Sequence, residues 1–222
     1  MDAERAYLEE LTTRLRNLLG DDLVGVYAGG SYALGGYEPG RSDLDVAAVV
    51  RTGLDEGVVE RLVAAVRNEA LPVPARKLEL VVYGQEAARS GSLDAGFALN
   101  LNTGAHEPFR AETQVQPGEE HWFAIDRSVL AGHGVALLGP PAAEIFAAPP
   151  REALLPVLAG VLRWYRQHEP ESADGVLNAG RSLRFARDGV WLAKPALRAW
   201  ARKQPGTTAD ILDRAIAELE GR

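Results

Sequence analysis

Near the N-terminus, apolar residues fall at Ala3, Tyr7, Leu8, Leu11, Leu15, Leu18 and Leu19. Spacings of three and four predict an amphipathic helix over 3–19. LVGVYAG (23–29) then reads as a buried strand, and LDVAAVV (44–50) as a second strand beyond a glycine-rich loop. EGVVERLVAAVRNEAL (56–71) has helical periodicity, and PVP at 72–74 is expected to stop it. ARKLELVVYG (75–84) reads as a third strand, bounded by Gly84. The order helix, strand, strand, helix, strand predicts an α/β domain, a mixed sheet with flanking helices.

The middle of the chain is less regular. FALNLNTG (97–104) suits a strand and turn, and QPGEE (116–120) a loop. HWFAIDRSVLAGHG (121–134) suits a helix closed by glycine, and VALLGPP (135–141) a short strand running into a proline turn. From Ala142 the pattern becomes helical throughout. Ser172 or Asp174, Lys194–Pro195 and Thr207 or Thr208 stand at plausible helix starts. The expected organisation is an α/β domain over 1–145 and an α-helical domain over 146–222.

Composition adds exclusions. Of the 222 residues, 46% are hydrophobic and 25% charged, as in ordinary globular domains. The chain has no cysteine, which rules out disulfides, thiolate metal sites and a cysteine nucleophile. No apolar run nears the roughly 20 residues that span a bilayer. The acidic, amphipathic start MDAERAYLEELTTRL is unlike a signal peptide, so a cytosolic protein is expected. A formal charge of −7 and the lack of a Lys/Arg cluster argue against nucleic acid as partner. The same charge suits solubility or an acidic site for a cationic small molecule.

The candidate chemistry lies in YAGGSYALGGYEPGRSDLDVAAVV (27–50). Asp43 and Asp45 are two residues apart at the start of a strand, a spacing that points both side chains to one face. Two such carboxylates repel and lose hydration unless a cation compensates them. Hard divalent cations take oxygen ligands, and magnesium is typically held by one or two carboxylates together with substrate phosphates. The preceding glycines allow close backbone approach to a polyphosphate, with Ser31 as a further donor. No G-K-[ST] follows, so this is not a Walker A loop, and GGSYALGG lacks the dinucleotide fingerprint G-x-G-x-x-G.

Strand, Gly-Gly-Ser, a loop of about ten residues, Ser-Asp-x-Asp and an apolar strand together resemble nucleotidyltransferases of the DNA polymerase beta type. The resemblance rests on Gly30, Ser31, Asp43 and Asp45, and implies a third carboxylate from a neighbouring strand. Glu79 is the candidate, with Leu78 and Leu80 on the opposite face. HGVALLGPPAAEIFAAPPREALLPVL and VLNAGRSLRFARDGVWLAKPALRAWA narrow the resemblance to aminoglycoside adenylyltransferases of the streptomycin/spectinomycin type. It covers about Leu23 to Ala201.

That resemblance implies two Mg2+ ions held with ATP by Asp43 and Asp45, and Glu79 as the base that deprotonates the attacking hydroxyl beside the acceptor. It also implies Gly30, Ser31 and Ser42 as nucleotide contacts, and Lys194 and Arg181 on the triphosphate from the helical domain. The acceptor would be a cationic drug, with Glu171 and Asp174, and with them Glu169, as candidate contacts. Where the streptomycin-modifying members carry an aromatic–acidic segment ending in tryptophan, this chain has FALNLNTGAHEPF, with Gly104 near that position. The difference points away from streptomycin itself.

Other readings are a nucleotidyltransferase with a different acceptor, such as another antibiotic or a protein hydroxyl, and a binding protein that has lost catalysis. Retention of Asp43, Asp45 and Glu79 together weighs against a decayed site. The four histidines, His106, His121, His133 and His168, show no metal-ligand spacing, and GGSYA lacks the G-x-S-x-G elbow of a serine hydrolase.

Overall fold

A computed structural model describes residues 2–116 and 119–221. Pro117 and Gly118, within the stretch read as a loop, lie outside the described residues. The chain divides into two compact units, Met1–Ala148 and Pro149–Arg222.

The first unit is built on a six-stranded sheet in the order β5-β4-β3-β2-β1-β6. The strands are β1 (Leu23–Ala28), β2 (Leu44–Val50), β3 (Leu78–Gly84), β4 (Phe97–Thr103), β5 (Arg110–Glu112) and β6 (Val135–Leu138). Only β2 and β3 pair in parallel, and the other neighbours are antiparallel. The parallel pair follows from the crossover helix α3 (Glu56–Val66) between those strands.

The two sheet faces bury different partners. On one face Val46, Ala48 and Val50 of β2 and Leu80 and Val82 of β3 pack under α1 (Asp2–Leu19) and α3. The periodic positions Tyr7, Leu8, Leu11 and Leu15 of α1 are buried there, as the spacing predicts. On the opposite face Ala47, Val49 and Tyr83 meet Phe123 and Leu130 of α5 (Glu120–His133). Among the described residues no helix is long and apolar enough to cross a membrane.

Three details depart from the pattern reading. The helix expected over 56–71 ends at Val66, before the prolines. Asn68 ends it: its N–H donates to Thr103 Oγ1 at 2.9 Å and its Oδ1 accepts from the Val73 N–H at 3.0 Å. Those bonds give the chain a turn in place of a further helical turn. The glycine-rich segment contains a single helical turn, α2 (Gly30–Ala33), and short helices α4 (Gln85–Arg89) and α6 (Ala142–Ile145) follow β3 and β6. None is long enough to show a period.

The second unit consists of α7 (Arg151–His168), α8 (Ala173–Asp188), α9 (Lys194–Ala201) and α10 (Thr208–Glu220). Ser172 caps α8, whose C-terminus is closed by left-handed Gly189, and Thr207 with Asp210 forms a capping box on α10. Leu154, Leu158, Leu162, Leu197, Leu212 and Leu219 are buried in its core.

Arg127 of α5 is fully buried and donates from Nη1 to the Ala95 carbonyl at 2.7 Å and from Nη2 to the carbonyls of Ser92 and Asp94. It ties the segment between α4 and β4 to the helix. Arg127→Ala leaves three carbonyls without their donor and opens a cavity. The expected loss is about 3 kcal/mol or more in urea unfolding. A loss within about 0.5 kcal/mol would mean that the loop carbonyls find other donors.

Candidate active site

Strand alternation places Leu44 and Val46 in the core under α1, so Asp45 between them faces the other way. On β3 the same alternation turns Leu78 and Leu80 inward and Glu79 to the face of Asp45. The parallel register sets Asp45 directly opposite Glu79, and Glu79 opposite Asn102 on β4. Gly30, Asp45, Glu79, Tyr83, Asp126 and Leu130 line one cleft. The two strand carboxylates are therefore neighbours by backbone geometry alone.

The glycine loop closes directly onto them. The Gly29 N–H donates to the Asp45 carbonyl at 2.8 Å, which fixes the loop to β2. Gly30 has φ +48°, and a Cβ there would overlap the Asp45 carboxylate. Only glycine permits both that backbone angle and that approach. Ser31 follows within the turn, whose first N–H groups have no intrahelical acceptor. Ser42 is buried and serves the loop: its Oγ accepts from the Glu38 N–H at 3.0 Å.

The charges are unevenly compensated. Arg76, in the segment before β3, grips Asp43 with a two-pronged bond, Nε to Oδ1 and Nη2 to Oδ2, both 2.7 Å. That bond holds the Arg76 guanidinium above its usual pKa. Lys77 pairs with Glu79 Oε1 and stands 3.5 Å from Asn102 Oδ1. Burial alone would push the Lys77 ammonium down, and Glu79 more than offsets this. Among the described residues, Asp45 has no ion pair with a cationic side chain. Burial first, then the charges of Glu79, Asp126 and Asp43, pushes its carboxyl well above the usual carboxylate range.

Arg76, Lys77 and Asp126 are the site residues that the sequence pattern did not single out. Asp126 had a legible signal: it stands three residues after Phe123 and four before Leu130, at helical spacing with both, although it is itself exposed on the cleft. Lys77 had one as well, standing two residues before Glu79 in the stretch read as a strand, whereas Arg76 had none, because its partner Asp43 lies 33 residues away. Gly104 abuts this segment. A Cβ on it would lie 2.7 Å from the Arg76 carbonyl oxygen.

The remaining candidates belong to the second unit. Lys194 opens α9, 3.8 Å from Asp174 Oδ1 in the first turn of α8. Arg181 donates to Asn178 Oδ1 at 3.3 Å, and Asn178 donates to the Tyr165 hydroxyl at 3.2 Å. Glu171 is exposed before the Ser172 cap.

Among the described residues, no three His, Asp or Glu side chains are gathered as a metal cluster. The reason is visible, since Asp43 and Glu79 are turned to Arg76 and Lys77. The donor set nonetheless fits a hard divalent cation in kind: all donors are carboxylate oxygens, and Asp45 is under electrostatic pressure from three other acids.

Residues 8–93 match the family model described as a nucleotidyltransferase domain. This segment is similar to a nucleotidyltransferase domain. The match spans Gly30, Ser31, Asp43, Asp45, Arg76, Lys77 and Glu79, whereas Asp126 lies beyond it. The fold is shared with spectinomycin adenyltransferase AAD(9) from Enterococcus faecialis, whose crystal structure holds ATP and spectinomycin. That likeness has a TM-score of 0.68 at 16% identity and covers 98% of this chain and 90% of the other. It agrees with the expected α/β and helical parts. The antitoxin complex of a tri-AMPylated Shewanella oneidensis HEPN toxin with MNT antitoxin matches at TM-score 0.33 and 12% identity, over 75% of this chain and 92% of that one. A sequence comparison with curated proteins finds no match.

The Asp45 carboxyl keeps its proton to higher pH in the fold than in the unfolded chain, so ionising it costs folding stability. The cost is absent below the unfolded pKa of about 4 and grows as pH rises towards the folded value. Asp45→Asn removes it. In EDTA the variant is expected to melt above the wild type at neutral pH, with the gain shrinking towards pH 4. Equal melting at every pH would show that Asp45 is not electrostatically strained.

Proposed function

We propose that the protein transfers AMP from ATP to a hydroxyl of an aminoglycoside or related aminocyclitol antibiotic, with Mg2+, and releases pyrophosphate. The observation that carries this reading is Asp45 set opposite Glu79 by the parallel register, with the Gly30 backbone pressed against the Asp45 carboxylate. The ATP- and spectinomycin-bound structure of a protein with the same fold supports the choice of donor and acceptor class.

Asp43 and Asp45 would hold two magnesium ions with the triphosphate. Bound there, the metal would supply charge neutralisation on the phosphates and acidify the attacking hydroxyl. The chain's own residues do the rest by position. Gly30 and Ser31 offer backbone N–H groups to phosphate oxygens, and Ser31 adds its hydroxyl. The drug oxygen attacks the α-phosphorus, the bond from that phosphorus to the bridging oxygen breaks, and pyrophosphate leaves with the electron pair. Glu79 takes the proton of the attacking hydroxyl, and Lys77 fixes the direction of the Glu79 carboxylate. Lys194 and Arg181 supply cations for the triphosphate, and Glu171 and Asp174 supply acids for ammonium groups of the drug. Asp43, Asp45 and Glu79 are all retained, which favours this reading over a non-catalytic nucleotide-binding protein.

A panel of aminoglycosides with ATP or GTP and Mg2+, scored by product mass, tests the proposal. The expected result is a gain of one AMP on a drug. No mass gain on any drug, with AMP transferred to a protein instead, would move the acceptor to that class. Asp45→Asn is expected to abolish transfer. Glu79→Gln should slow the bound complex roughly 10²- to 10⁴-fold while leaving ATP binding intact. Lost ATP binding with normal turnover of the bound complex would make Glu79 a ligand and not a base. Lys194→Ala is expected to raise the KM for ATP about tenfold and leave that for the drug unchanged. An unchanged KM for ATP would remove Lys194 from the nucleotide site.

A further inference from the structure

The two-pronged bond from Arg76 occupies the same Asp43 oxygens that the proposed function needs for metal, and the two partners depend on each other unequally. The Asp43 side chain is only 17% exposed, so its charge needs a cation at close range. Arg76 is 53% exposed and can be hydrated when it leaves. Its backbone is held in place: the Arg76 N–H donates to the Ser42 carbonyl at 3.3 Å, next to Asp43 itself. A second acid is also within reach, with Arg76 Nη1 lying 4.0 Å from Glu107 Oε1.

We propose that Arg76 is a displaceable counter-cation and positioning residue at the metal site. It neutralises and orients Asp43 in the metal-free protein, yields those oxygens to the incoming divalent cation, and shifts to Glu107. The inference rests on the metal role assigned to Asp43 and Asp45 in the proposed function. It accounts for the carboxylates of Asp43 and Glu79 being turned to Arg76 and Lys77 and not gathered as a metal cluster among the described residues. The divalent ion wins by charge, since it offers Asp43 twice the charge of a guanidinium and compensates Asp45 as well.

Mn2+ binding to the full-length, nucleotide-free protein tests this, read by loss of the free-ion EPR signal and by calorimetry. Arg76→Gln removes the competitor and is expected to tighten Mn2+ binding about tenfold. Arg76→Lys keeps the charge and loses the two-pronged grip, so it should tighten binding by a smaller factor, about threefold. Glu107→Gln should weaken binding about twofold in the wild type and leave it unchanged in the Arg76→Gln background, because the two residues act as one unit. Circular dichroism checks that each variant folds.

Unchanged affinity in Arg76→Gln overturns the proposal. Wild-type affinity in Arg76→Lys would reduce the effect of Arg76 to its charge and also overturn it. A Glu107→Gln effect that persists without Arg76 would overturn the shift to Glu107. Asp45→Asn is the control for location: if it leaves Mn2+ binding intact, the metal-site reading itself falls, and this inference with it. Mn2+ competition of the expected pattern with no AMP transfer to any acceptor would overturn the proposed reaction and leave the role of Arg76 standing.

Discussion

Two carboxylates placed face to face by the parallel pairing of β2 and β3 are the constraint on which the site depends. Neither side chain can turn away without losing strand alternation, because Leu44, Val46, Leu78 and Leu80 anchor the other face in the core. The like charges must therefore be compensated locally. Lys77 compensates Glu79, Arg76 compensates Asp43, and Asp45 is left raised in pKa between them. A core that forces acids together spends stability, a trade often met at functional sites, and under the proposed function it readies a place for a cation.

The glycine loop belongs to the same device. Its bond from Gly29 to the Asp45 carbonyl makes the loop a continuation of the β1–β2 pairing, and Gly30 brings the backbone within contact of the carboxylate. The glycine backbone and the Asp45 carboxylate are thus positioned together by one short stretch of chain. α5 closes the far side with Leu130 and adds Asp126, a fourth acid whose field reaches Asp45. The buried grip of Arg127 ties the helix that carries Asp126 to the loop before β4.

Much of this was legible in the sequence because it is local. Strand alternation gave the facing of Asp45 and Glu79, helix period gave α1 and the long helices of the second unit, and glycine spacing marked the loop. What escaped was set by distance or brevity. The bond between Arg76 and Asp43 joins residues 33 apart, and the end of α3 is decided by Asn68 reaching β4, 35 residues on. β5 and the single-turn helices are too short to carry a period. Asp126 was legible in principle, as an acid at helical spacing from Phe123 and Leu130.

Crystals grown with ATP and Mn2+ test the central claim most directly, since manganese is located by its anomalous scattering. The account predicts metal against the oxygens of Asp43 and Asp45, the triphosphate along Gly30 and Ser31, and Arg76 turned away from Asp43. Nucleotide bound elsewhere, with no metal at either aspartate and the grip of Arg76 intact, would contradict it.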